Sequence, residues 1–200
     1  MSPVRSFRSK EDCRSNMGQL HFVAIGGTLR AFSSTERALR KALALAETRG
    51  ARTTLLSGDA INFPLYSPEN AVRSELASAY VETLRSADAV ILGSPGYHGA
   101  ISGFVKNALD YVEDMNRDDR CYFDGLPVGC IATAAGWQAA VATLQQLRVI
   151  THALRGWPTP LGIAINTIGE TGDPVEQNPI PAHLGMMVDQ LFQFYNRSTL

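Results

Sequence analysis

From residue 20 onward, short apolar runs alternate with longer stretches whose apolar side chains recur at helical spacing. The runs predict strands at 22–25, 53–56, 89–92, 128–132 and 161–165. Four of these are apolar almost without a break, as strands buried on both faces of a parallel sheet must be. The stretch Thr53-Thr54-Leu55-Leu56 is more polar and is assigned to an edge. Between the first two runs, Ala38, Leu39, Ala42, Leu45 and Ala46 share one helical face, opposite Glu36, Arg37, Arg40, Lys41 and Glu47. Later stripes predict four more helices: Val72, Leu76, Tyr80 and Leu84; Phe104, Ala108, Tyr111, Val112 and Met115; Ala140, Leu144, Leu147, Thr151 and Leu154; and Leu184, Met187, Val188, Leu191 and Tyr195.

Five strands and five helices in strict alternation predict an α/β domain, a parallel sheet with helices on both faces. The alternation leaves two common strand orders, 2-1-3-4-5 or half of the order 3-2-1-4-5-6 with additions. No internal repeat or interdomain linker interrupts the pattern, and residues 20–200 read as one domain. The Gly/Pro/Asp-rich stretch 170–181 is a loop long enough to cover a site. Residues 1–19 are polar at the start and read as a disordered extension, with Met17 an equally good start.

Composition narrows the function class. Eighteen basic residues against nineteen acidic ones leave a net charge of −1, which offers no field for phosphate backbones or anionic lipid. Nucleic acid and membrane partners are therefore not expected, and no apolar run approaches the roughly 20 residues of a membrane-spanning helix. The N-terminal stretch lacks the apolar core of a secretory signal. Cys13, Cys121 and Cys130 are odd in number and form no CxxC pair, which argues against a disulfide framework or zinc site and for a reducing cytoplasm. Cys130 falls inside a predicted strand and reads as a small buried apolar residue.

In an open α/β sheet, ligands bind beyond the carboxyl ends of the strands, so the segments after strands one, three and four carry the chemistry. The first reads Gly26-Gly27-Thr28-Leu29-Arg30-Ala31-Phe32-Ser33-Ser34-Thr35 and runs directly into a helix. Its hydroxyls, its arginine and the free N–H groups of the helix start together describe a phosphate cradle. It has neither the glycine spacing of a dinucleotide fingerprint nor the GK[ST] of a Walker loop, so a terminal monophosphate suits it. One Ser or Thr would suffice for a plain helix cap, and this loop has four hydroxyls.

After strand three comes Ser94-Pro95-Gly96-Tyr97-His98-Gly99, then Gly103 and Lys106-Asn107-Ala108-Leu109-Asp110. Here the glycines admit a flat ligand, and Tyr97 is placed to pack against it. This stretch resembles the SPxYHGxxxGxxKNALD motif of the NADPH-dependent FMN reductase family. About 65 residues earlier, Gly27-Thr28-Leu29-Arg30-Ala31-Phe32-Ser33 is similar to that family's GS-x-R-xx-S loop, with Thr for Ser. The resemblance implies a flavodoxin-like fold with order 2-1-3-4-5, bound FMN, and NADPH or NADH as co-substrate. It implies that Thr28, Arg30, Ser33, Ser34 and Thr35 hold the phosphate and that Pro95, Gly96, Tyr97, His98 and Gly99 line the flavin ring. The third loop of the family corresponds to Thr133, Ala134, Ala135, Gly136 and Trp137, with alanines where relatives carry glycines. Ser57 stands where relatives often carry Asp.

The resemblance further implies a homodimer or homotetramer, a small-molecule electron acceptor and a possible monooxygenase partner. Rival activities on the same fold reduce quinones, azo dyes or metal oxyanions. A rival of another class is an electron carrier or redox sensor without nicotinamide turnover. His98 reads equally well as a donor to the flavin or as a residue fixing its loop, Trp137 as a shield or as helix-start packing. Lys106 and Asp110, at i and i+4, read as a surface ion pair, and Asn107 as a bond to loop backbone. No catalytic side chain and no metal ligands are assigned.

Overall fold

A computed structural model of the chain describes residues 19–70, 72–168 and 172–197. All but Gln19 of the expected extension, together with Met17, lies outside the described residues. Five helices flank a twisted sheet: β1 His21–Gly26, α1 Ser34–Glu47, β2 Arg52–Leu56, α2 Glu75–Arg85, β3 Ala89–Tyr97, β4 Ala100–Ile101, α3 Gly103–Asp110, β5 Pro127–Ala134, α4 Trp137–Ala153, β6 Trp157–Pro158, β7 Ile163–Asn166 and α5 Ile180–Arg197. The sheet runs β2-β1-β3-β5-β6, with β7 also parallel to β5 and β4 antiparallel to β3. This is the flavodoxin-like order expected from the sequence, with β2 at the edge.

Two cores form, one on each face of the sheet. Phe22, Ala24, Ile91 and Ile131 point toward α1 and α5 and meet Leu39, Ala42, Leu184, Met187 and Leu191. Their alternates Val23, Ile25, Val90, Leu92, Val128 and Cys130 point the other way, toward Tyr80, Leu84, Val105, Val112 and Leu147. Period-two alternation in strands and the helical stripes thus explain burial on both faces.

Four elements differ from the sequence reading. β3 continues past Leu92 to Tyr97 and pairs with β5 as far as Pro95 opposite Thr133. Glycine and proline after Leu92 look like loop, but β1 stops pairing at Gly93, so Pro95 is paired on the β5 side only, where a residue without an N–H is tolerated. The fifth expected strand, 161–165, is shifted to Ile163–Asn166, and a further two-residue strand, β6, precedes it; both pair with β5, and Pro158 to Ile163 spans more residues than Val128 to Ile131 opposite. The extra residues, including Pro160, form a bulge between β6 and β7. The second helix starts at Glu75, capped by the Ser74 hydroxyl, so Val72 lies outside it and is exposed. The third helix ends at Asp110, and a 3-10 segment, Tyr111–Met115, completes its predicted span.

Cys130 is fully buried, and burial raises its thiol to about 11, as suits an inert core residue. Among the described residues no helix is long and apolar enough to cross a membrane.

Candidate functional site

The carboxyl ends of β1, β3 and β5 open into a cleft of about 510 Å³, within the ordinary range of small-molecule sites. Close backbone approach shapes its floor. Gly26 has φ +143°, and a Cβ there would lie 1.7 Å from the Gly93 carbonyl oxygen. Gly93 in turn packs against Leu39, where an added Cβ would meet the side chain at 2.8 Å. Only glycine at both positions lets β1 turn out beside β3 and deliver the following hydroxyls to α1.

One wall is the turn into α1. Ser33 caps the helix by accepting from the Glu36 N–H at 3.2 Å, while the Glu36 carboxylate accepts from the Phe32 N–H at 3.0 Å. Arg37 donates to the Phe32 carbonyl at 2.8 Å, so both backbone groups of Phe32 are held in a left-handed conformation, φ 57°. The Glu36 carboxylate is neutralised by Arg40 at 2.7 Å, behind the turn. The N–H groups of Ser34 and Thr35 have no intrahelical acceptor and carry the positive end of the helix dipole. Thr28 and Arg30 form a compact turn, the Arg30 N–H donating to the Thr28 hydroxyl at 3.1 Å. Among the described residues the Arg30 guanidinium takes no ion-pair partner, and it lines the cleft.

The opposite wall is flat. Pro95, Gly96 and Tyr97 form its β3 side, and Thr133, Ala134 and Ala135 its β5 side. Gly96 has to be small: a Cβ would stand 2.4 Å from the Thr143 hydroxyl and 3.0 Å from Ala134. Tyr97 is half exposed at the rim. The two walls are joined where the Thr35 and Thr133 hydroxyls approach to 2.6 Å, both buried.

Eleven of the fourteen residues singled out in the sequence line this one cleft: Thr28, Arg30, Ser33, Ser34, Thr35, Pro95, Gly96, Tyr97, Thr133, Ala134 and Ala135. His98, Gly99 and Gly136 do not. His98 and Gly99, with φ 52° and 81°, are the two turn residues of the β3–β4 hairpin, and positive φ at both marks the tight primed turn that matches strand twist. Their exposed positions at the hairpin tip place them beyond the lining. Gly136, at φ 104°, turns away from the cleft and donates its N–H to the Asn166 side chain at 2.8 Å.

Leu29 and Thr167 also line the cleft and were not singled out. Leu29 sits inside the loop that was, and Thr167 follows β7, where no motif marks it. Asp173 pairs with Arg37 at 2.8 Å and Glu176 pairs with Lys41, so the segment after the cleft's edge is strapped to α1. Trp137 starts α4 and is exposed. Lys106 and Asp110 do form an ion pair on α3. Asn107 does bind loop backbone, accepting from the Tyr66 N–H and donating to the Phe63 and Pro64 carbonyls.

Known proteins resemble the chain in sequence and in fold. An FMN-dependent NADPH-azoreductase of Staphylococcus aureus is 36% identical over 122 residues, covering 58% of this chain and 61% of that protein. The chain thus spans about three fifths of the length of this curated relative. The flavoenzyme NAD(P)H:(acceptor) oxidoreductase FerB from Paracoccus denitrificans superposes with TM-score 0.68 at 22% identity, over 89% of this chain and 98% of that one. An apo NADH:FMN oxidoreductase superposes with TM-score 0.66 at 17% identity, over 86% and 88%. These two likenesses establish the flavodoxin-like fold. Residues 20–169 match the model for the NADPH-dependent FMN reductase family, and the chain belongs to that family.

Proposed function

We propose that the chain is an NAD(P)H-dependent FMN reductase that holds FMN in the cleft between α1 and the ends of β3 and β5. The observation that carries this is the pairing of a cation-bearing, hydroxyl-rich helix start with a flat, glycine-opened wall in one cleft. The first suits a terminal phosphate and the second a planar ring.

Four hydroxyls, two free helix N–H groups and Arg30 surround the phosphate end, a donor set matched to a dianion. Pro95 to Tyr97 and Thr133 to Ala135 bear on the ring, where backbone rather than charged side chains would orient it. Arg30 and Tyr97 are the titratable side chains of the lining, so the chain's own residues bind and orient and leave the hard chemistry to the cofactor. Bound FMN supplies a ring that takes hydride from a nicotinamide and passes electrons to an acceptor. The half-exposed Tyr97 leaves an aromatic rim for the incoming nicotinamide of NADPH or NADH and for the acceptor.

The acceptor is a free flavin on this reading, with delivery of reduced FMN to a monooxygenase as its use. A second reading, reduction of an azo dye or quinone by the bound cofactor, is favoured for the azo dye by the azoreductase activity of the Staphylococcus aureus relative and for both by the same aromatic rim. A homodimer or homotetramer belongs to this reading, and the free thiols Cys121 and Cys130 suit the cytoplasm.

The test is anaerobic oxidation of NADPH and of NADH by purified protein with FMN, riboflavin or an azo dye as acceptor. Rapid flavin reduction supports the reductase reading, and turnover of the dye but not of free flavin moves the assignment to the second. Flavin binding without nicotinamide oxidation refutes both and leaves an electron carrier.

A further inference from the structure

The structure assigns to Asn166 the role of positioning residue for the ring-side wall of the cleft. This rests on the reading that FMN occupies the cleft. Asn166 closes β7 and lies in register with Ala134 on β5. Its side-chain oxygen accepts two backbone donors, the Gly136 N–H at 2.8 Å and the Ile168 N–H at 3.1 Å. One amide oxygen therefore joins the turn after β5 to the turn after β7. The two donors also fix which end of the amide is the oxygen.

Gly136 depends on this bond. Its φ of 104° is one that L side chains rarely adopt, and a Cβ added there would meet nothing within 4 Å. Packing thus does not hold the turn, and Gly136, as N-cap of α4, receives no side-chain cap. The Ala135–Gly136 peptide is planar and trans, so an N–H directed at Asn166 directs the Ala135 carbonyl the opposite way. Ala135 is the exposed member of the β5 wall, so its backbone is the part of this wall most open to a ligand. The neighbouring anchors are the Thr167 N–H on the Ala134 carbonyl at 2.9 Å and the Thr35–Thr133 contact, both upstream of the turn. Beyond Ala135, the Ala140 N–H holds the Gly136 carbonyl at 3.1 Å within α4, whereas Asn166 holds the Gly136 N–H, which shares a peptide with the Ala135 carbonyl. Asn166 is not itself a lining residue of the cleft and acts through Gly136.

The experiment compares wild type, Asn166→Ala and Asn166→Asp in fluorescence titrations with FMN and with riboflavin, alongside the visible spectrum and midpoint potential of the bound flavin. Asn166→Ala should weaken FMN and riboflavin by the same factor, about tenfold or roughly 1.4 kcal/mol, because the phosphate end is untouched. The bound flavin's spectrum and potential should shift as the Ala135 peptide loses its fixed direction. Asn166→Asp keeps the accepting oxygen and should restore affinity. Affinities within about twofold of wild type, with an unaltered spectrum, overturn the assignment. So does a loss confined to FMN, which would place the effect at the phosphate. If Asn166→Ala does not fold, Asn166→Ser replaces it: its shorter side chain cannot serve both donors, and wild-type riboflavin affinity in that variant overturns the proposal. Wild-type protein that binds neither flavin refutes the cofactor reading itself, an outcome distinct from a mutant that binds as well as wild type.

Discussion

The hydroxyls of Thr35 and Thr133 lie 2.6 Å apart, both buried, and join the first turn of α1 to the end of β5 across 98 positions of sequence. The contact fixes the distance between the loop wall and the strand wall of the cleft. It also pairs two hydroxyls on residues only 1% and 4% exposed. Thr35→Val or Thr133→Val should each lower stability by about 1–3 kcal/mol, because each leaves one buried hydroxyl unpaired. The double variant should lose much less than the sum, since two apolar groups of the same shape then face each other. Urea unfolding of the four proteins decides this; additive losses would contradict the coupling.

Gly26 supplies a sharper steric test. An alanine there would put its Cβ 1.7 Å from the Gly93 carbonyl oxygen, in a backbone conformation that already disfavours side chains. Gly26→Ala should cost more than about 4 kcal/mol or prevent folding. Gly50, with φ 94° and open space around it, is the control. Gly50→Ala carries backbone strain alone and should lose only about 1–2 kcal/mol. Thermal unfolding that ranks the two alike would show that close approach at Gly93 does not govern the site's floor.

The alternation of apolar runs and helical stripes specified the layers because burial on both faces leaves a direct mark on composition. The loop wall of the cleft was equally legible, since Thr28, Arg30, Ser33, Ser34 and Thr35 are neighbours in sequence and one helix start gathers them. The strand wall was less so. Residues 93–97 carry glycine and proline and look like loop, whereas their strand pairing depends on β5, which no local signal reveals. The partners Thr133 and Asn166 owe their roles to strand register, and register is a property of the assembled sheet. The motif places His98 and Gly99 beside the flavin ring; the structure sets them, both at positive φ, as the turn between β3 and β4, a position that depends on strand pairing.

His21 makes stability depend on pH. Its ring is buried at the start of β1, one nitrogen facing the Thr54 hydroxyl at 2.8 Å and the other the Ser86 carbonyl and hydroxyl. Burial, aided by the Arg52 charge, lowers its pKa below the ordinary 6.5, against weaker opposing effects from Ser86 and Asp88. The unfolded chain therefore binds the proton more readily than the folded one. The contribution is complete above about pH 6.5 and is lost as pH falls below it toward the folded value. Wild type should lose stability between about pH 7.5 and about pH 5.5, and His21→Gln should lose less over the same window. Equal losses of stability in wild type and His21→Gln, read from urea unfolding at the two pH values, would refute this.

Asn107 and Asn166 are both asparagines that hold backbone, but they use their amides differently, and aspartate separates them. Asn107 works with both ends. Its oxygen accepts from the Tyr66 N–H at 2.8 Å, and its nitrogen donates to the Pro64 carbonyl at 3.1 Å and the Phe63 carbonyl at 3.3 Å. Asn107→Asp keeps the acceptor but sets a carboxylate oxygen against two carbonyls, so it should be no better than Asn107→Ala. Each should cost about 1–3 kcal/mol, the penalty of unmade bonds to partly buried backbone. Asn166 binds its two donors through oxygen alone, so there the same Asn→Asp exchange should be tolerated. Melting temperatures of the two aspartate variants, each beside its alanine counterpart, provide the comparison. A stable Asn107→Asp protein would mean that the donor half of its amide contributes nothing to holding residues 63–66 against α3.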